Sequence, residues 1–166
     1  MRPLIACLIL LAALPARADT ALIAVATNFK TVAEALIPKF TAATGHDIEL
    51  TAGATGKLAA QIEAGAPFDV FLAADDVTPS RLVEKGRADD ATRFIYATGT
   101  LVLWSADPTA DLSDPTAALM AARHVAIANP NLAPYGKAAM ETIEFMRLEA
   151  IQGKLVKGEN IGQAFA

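Results

Sequence analysis

The stretch Thr51-Ala52-Gly53-Ala54-Thr55-Gly56-Lys57-Leu58-Ala59-Ala60-Gln61-Ile62-Glu63-Ala64-Gly65-Ala66-Pro67-Phe68-Asp69-Val70-Phe71-Leu72-Ala73-Ala74-Asp75 decides how this chain is read. It runs as a strand end, a turn of small residues, a helix start and then a second buried strand. Gly53, Ala54 and Gly56 leave the backbone uncovered, and Thr55 sets a hydroxyl beside the amides that open the helix. The first N–H groups of a helix have no intrahelical partner, so such a junction can hold an oxyanion without any charged side chain. The plainer reading makes Thr55 an ordinary N-cap.

Working outward, residues 21–26 form an apolar run expected to be a buried strand. Phe29, Val32, Leu36 and Phe40 then recur at helical spacing, which predicts an amphipathic helix over 29–43, with Pro38 inside it and Gly45 as its stop. Residues 46–52 read as a second strand. A helix follows over 56–64 with Leu58 and Ile62 inward, and a third strand over 68–74. Thr78-Pro79 reads as a cap followed by proline at the first helical position, and Gly86 as the end of that helix. The order β-α-β-α-β-α implies a mostly parallel sheet with helices on its faces. Residues 93–104 read as an extended crossover into a second lobe. There a strand is expected at 124–128, turn chemistry at Asn129-Pro130-Asn131, a helix from Pro134 or Tyr135 to about residue 150, a short strand at 155–156 and a last helix from Asn160.

Composition narrows the function. Residues 1–18 have the layout of a secretory signal: Arg2, an apolar run from Leu4 to Leu14, and the small-x-small site Ala16-Arg17-Ala18. Removing them leaves no cysteine, and 12 basic against 18 acidic residues, a net charge of −6. That balance argues against nucleic acid and against an anionic membrane surface. The expected domains are a first α/β lobe over 19–98 and a second over 99–166. The latter is expected to be incomplete, because the last helix stops at Ala166 while still in apolar register.

Four strand-to-helix junctions offer chemistry: Thr27-Asn28, Thr55-Gly56, Pro134-Tyr135-Gly136 and Glu159-Asn160-Ile161. In open α/β sheets ligands bind beyond the carboxyl ends of the strands, where all four can converge. Asn28 and Thr55 add side-chain donors and Tyr135 a phenol, while Lys57 is read as pointing to the next turn. A neutral array of N–H and O–H groups suits a dianion that must be bound and released. Taken singly, Asn28 reads as a helix cap, Tyr135 as partly buried packing, and the Ile161 side chain as core. Asp75 and Asp76 read as turn residues capping the next helix, and His46 and His124 as surface residues. The chain has no nucleophile–base constellation, P-loop or G-x-G-x-x-G, so a binding protein is expected rather than an enzyme.

These residues resemble a family. The segments Ala24-Val25-Ala26-Thr27-Asn28-Phe29, Gly53 to Asp75, Leu82-Val83-Glu84-Lys85-Gly86, Asn129-Pro130 with Ala133-Pro134-Tyr135-Gly136, and Gly158-Glu159-Asn160-Ile161 run in the order found in the periplasmic molybdate-binding proteins of ABC transporters. The resemblance implies the type II periplasmic-binding-protein fold, two α/β lobes with a cleft between them. It also implies a tetrahedral oxyanion, molybdate or tungstate, held through Asn28, Thr55, Tyr135 and Ile161, with Thr27 close by. Many members carry Ser where Asn28 and Thr55 stand; the Thr-Asn-Phe version with Tyr135 is similar to a separate branch of the family. Tyr135 and Ile161 are expected to contribute backbone N–H groups. Members continue past the last helix into a strand bearing a further tyrosine contact and a return to the first lobe.

The resemblance thus implies an exported, periplasmic, monomeric solute-binding protein. It needs no cofactor and delivers its anion to a membrane permease. The alternatives are a truncated remnant that binds nothing, a binder of another tetrahedral oxyanion such as sulfate, and a small α/β enzyme using Asp69, Asp75 or Asp76.

Overall fold

A computed structural model describes residues 19–166. The signal-like segment 1–18 lies outside the described residues. Strand β1 (Thr20–Ala26) is central in a three-stranded parallel sheet of order β2-β1-β3, with β2 at Asp47–Gly53 and β3 at Val70–Leu72. Its apolar run goes where the sequence demands: Ala24, Val25 and Ala26 are buried. The register sets Ala26 beside Gly53 and Val25 beside Leu72, so all three strands finish at one edge and their following junctions gather there. Asp69 clips the start of β3 to β1, because its N–H donates to the Leu22 carbonyl at 2.9 Å and its carboxylate accepts the Leu22 N–H at 2.8 Å.

Helix α1 (Lys30–Thr44) ends at Gly45, whose φ of 76° lets its N–H reach the Thr41 carbonyl. Pro38 sits inside the helix. The stripe Val32, Leu36 and Phe40 does not face the sheet: these residues stay 48%, 49% and 45% exposed, and Ala33 is the buried contact. Periodicity found the helix but not which face the sheet would take. Helix α2 (Thr55–Glu63) buries Leu58 as expected. Helix α3 (Val77–Glu84) starts two residues earlier than the Thr78-Pro79 reading, which put its first residue at Pro79. Glu63 ties α2 to α3, meeting Lys85 at 2.7 Å and Arg81 at 3.4 Å. The hydrogen bond from Lys85 holds its carboxyl below the ordinary value.

Asp75, one residue before the cap position Asp76, supports the first turn of α3, its carboxylate accepting the Thr78 N–H at 2.9 Å and the Thr78 hydroxyl at 3.1 Å. Asp75→Ala should therefore cost about 1 kcal/mol of stability, and Asp75→Asn much less. Urea unfolding would register this as a lower midpoint at unchanged slope.

The run 93–104 forms no strand in the structure. Its apolar residues find no sheet partner among the described residues, and Phe94 and Ile95 are 77% and 79% exposed. The second sheet pairs β4 (Val125–Ala128) with β5 (Leu155–Gly158) in parallel, Ala128 beside Gly158. Helix α4 (Pro115–Ala121), which the sequence reading did not place, opens on Asp114, whose carboxylate accepts the Ala117 N–H at 3.0 Å. Helix α5 (Pro134–Phe145) ends earlier than expected, at a turn where Arg147 has φ of 55°, and 149–154 continue as 3-10 turns. Ile143, Leu148 and Ile151 form the core there, with Leu119, Met140, Met146 and Leu155 around them. Helix α6 (Ile161–Phe165) is capped by Asn160, as expected.

Candidate functional site

Both sheets end their strands toward each other. The junctions after β1, β2 and β3 meet those after β4 and β5 around a small cavity of about 10 Å³. Its lining includes Thr27, Asn28, Thr55, Tyr135 and Ile161, all five residues expected from the sequence. The others are small or neutral: Ala26, Gly53, Ala54, Ala74, Ala133, Pro134 and Asn160. No charged side chain lines it among the described residues. This volume is close to the least that holds one water, so a larger ligand needs the cavity walls to move apart.

The five residues do different work. Thr55 is buried at 1% exposure and is the first residue of α2, not its cap; the cap position falls on Ala54, whose extended backbone makes the turn. The Thr55 oxygen accepts the Ala74 N–H at 3.1 Å, which fixes its rotamer and leaves its O–H proton to donate. Thr27 is committed elsewhere: its hydroxyl donates to the Gly53 carbonyl at 3.0 Å and its N–H to the same oxygen at 3.1 Å. It braces the β2 end and presents its methyl group inward, where a Cβ on Gly162 would overlap it. Asn28 is exposed at the cavity mouth, in the turn before α1 rather than at its cap, which falls on Phe29.

Across the cavity, Tyr135 is the second residue of α5 and Ile161 the first of α6. By position both N–H groups precede the first intrahelical bond, so they are free to bind a ligand. Their side chains pack on Ala54, Ala128 and Ala133, the contact that joins the lobes. The Gly56 N–H, another first-turn donor, is taken by the Leu132 carbonyl at 2.9 Å.

Sequence reasoning missed the supports of this array. Tyr96 anchors the crossover by donating to the Ala73 carbonyl at 2.8 Å, with its ring edge-on to Phe29 at 4.9 Å. Burial, and then the nearby Tyr135 phenol, raise its pKa above the ordinary tyrosine value, so it stays a neutral donor. The signal was one tyrosine in an otherwise apolar exposed run. The Ala74 N–H carried no signal at all, since only the parallel register brings it to Thr55.

Comparison with known proteins places this geometry. The chain is 46% identical over 155 residues to the molybdate-binding protein ModA of Rhodobacter capsulatus, covering 92% of this chain and 61% of that protein. It is 45% identical over 157 residues to ModA of Azotobacter vinelandii, covering 93% and 62%. The chain thus spans about three-fifths of the length of these curated relatives. The solved periplasmic molybdate-binding protein of Azotobacter vinelandii superposes with a TM-score of 0.82 at 37% identity, over 87% of this chain and 64% of that one. The fold is accordingly the α/β solute-binding fold expected from the resemblance. Residues 21–166, from β1 through every junction around the cavity, match the model of the bacterial extracellular solute-binding proteins, and the chain belongs to that family.

Proposed function

We propose that this chain captures molybdate or tungstate between its two lobes in the periplasm, as a monomer, and presents it to an ABC transporter permease. The observation that carries the reading is the convergence of Asn28, Thr55, Tyr135 and Ile161 on one interlobe cavity whose lining is uncharged. A dianion there is held by the Thr55 hydroxyl, the Asn28 carboxamide and the N–H groups opening α5 and α6, with helix dipoles adding to the attraction. The relatives named for molybdate binding support the choice of anion. The reading is one of binding rather than catalysis: of the three carboxylates on which an enzyme reading could draw, Asp69, Asp75 and Asp76, the first two accept backbone N–H groups from Leu22 and Thr78.

Thermal melts of the purified chain alone, with molybdate, and with equal sulfate test this reading. A ligand at about 100 times its Kd adds about 2.7 kcal/mol to stability, which is roughly 5–10 °C in Tm for a chain of this size. Molybdate should produce that shift and the smaller sulfate should not. Equal shifts with both anions would remove the ligand assignment and keep the fold. No shift with either would mean that this chain does not hold an anion.

A further inference from the structure

Lys57 and Glu159 lie 102 positions apart, yet the Lys57 ammonium meets the Glu159 carboxylate at 2.5 Å. They belong to opposite lobes, and each is joined directly to a cavity wall. Lys57 stands two residues after Thr55 in the first turn of α2, and Glu159 immediately precedes Asn160 and Ile161. Glu159 sits on a held backbone: its N–H donates to Gln163 Oε1, and the Gln163 N–H donates to Asn160 Oδ1 at 3.0 Å, a reciprocal pair resembling a capping box. One residue before Lys57, the Gly56 N–H reaches the Leu132 carbonyl at 2.9 Å. A Cβ on Gly56 would stand 3.0 Å from that oxygen, so the approach is close. The start of α2 therefore grips both second-lobe loops that border the cavity, one through its backbone and one through an ion pair.

We propose that the Lys57–Glu159 pair is the interlobe latch of the cleft, a positioning pair that forms on closure and governs release of the anion rather than its recognition. This rests on the cleft being the binding site. The pair is half-exposed on both sides, at 53% and 43%, so it is accessible to salt and modest in strength. Such a pair changes a rate by about 2–5-fold at low salt. It also neutralises Lys57, leaving recognition to hydroxyl and N–H donors.

The test compares the unsubstituted chain with Lys57→Gln, Glu159→Gln and the charge exchange Lys57→Glu with Glu159→Lys. Stopped-flow association and release of molybdate are followed by Trp104 fluorescence or a displaced-ligand signal, at low and high salt. A double-mutant cycle on the urea midpoint is run in parallel without molybdate. The latch predicts that each single variant releases molybdate about 2–5-fold faster at low salt. Association should be nearly unchanged, the exchange should restore slow release, and the difference should vanish at high salt. Unaltered release in all variants, or faster release that the exchange does not rescue, overturns the latch. If neither the unsubstituted chain nor any variant binds molybdate, the reading of the cleft fails. The ligand-free cycle then reads the pair as a plain interlobe contact: coupling rescued by the exchange keeps that contact without the latch, and zero coupling removes both.

Discussion

Gly136→Ala is expected to destabilise this protein by about 2–3 kcal/mol, even though alanine is the better helix former by about 1 kcal/mol. Gly136 is the third residue of α5 and is buried against the end of β4. A Cβ there would lie 2.7 Å from the carbonyl carbons of Ala128 and Asn129, and nearer still to the Ala128 oxygen. Those are backbone atoms, and they cannot rotate away. Ala128 is paired in the β4–β5 ladder, and the next N–H, of Asn129, donates to the Gly158 carbonyl at 2.7 Å. The helix must therefore lift off the sheet. Because α5 carries Tyr135 and the Pro134 turn to the cavity, lifting it also disturbs the proposed binding array. Domains have only about 5–15 kcal/mol of stability in total. Urea unfolding should show a clear fall in midpoint, and titration of the variant that remains folded should show weaker molybdate binding. A variant as stable as the parent would mean that helix propensity decides this position and that the close approach of α5 to β4 is not needed.

The same contact shows what a sequence can and cannot disclose. The apolar run 21–26, the stop at Gly45, the cap at Asn160 and the buried Leu58 depend on local periodicity and turn chemistry, and the structure has them where those rules put them. The four junctions were legible for the same reason, since each joins a strand or its following turn to the start of a helix. Their convergence was only inferable from the parallel order of elements, and its agent is register: Ala26 beside Gly53 in one sheet, Ala128 beside Gly158 in the other. Errors arose where a tertiary neighbour decides. Thr55 is a helical residue rather than a cap because its oxygen is claimed by Ala74, far along the chain. The stripe on α1 is helical but exposed, because the sheet meets Ala33 instead. Lys57 read as an ordinary next-turn lysine, since nothing local marks Glu159 as its partner. Helix α4 was missed because seven residues with only small apolar side chains before Leu119 carry little period, although Asp114-Pro115 was a fair start signal.

Thr55→Val is the substitution expected to affect binding most. Valine matches threonine in shape, so the buried site keeps its packing and loses only the oxygen. That oxygen has two roles. It accepts the part-buried Ala74 N–H at 3.1 Å, and losing it leaves that donor without a partner, which costs about 1–3 kcal/mol. Its proton remains to donate, and a hydrogen bond from it to a charged oxygen of the proposed ligand would be worth about 1.5–3 kcal/mol, or roughly 10–150-fold in Kd. The two effects separate by measurement: urea unfolding without ligand reads the first, and calorimetric titration of the folded variant with molybdate reads the second. Thr55→Ser keeps the oxygen and should remain near the parent in both. If Thr55→Val loses stability but binds molybdate unchanged, the hydroxyl only ties α2 to the end of β3. Recognition would then fall to Asn28 and the N–H groups of Tyr135 and Ile161. If affinity falls while Thr55→Ser holds it, the buried polar side chain at the convergence of both sheets is a direct ligand of the anion. In that case the neutral lining of the cavity is how the protein binds a dianion with no fixed positive charge beside it.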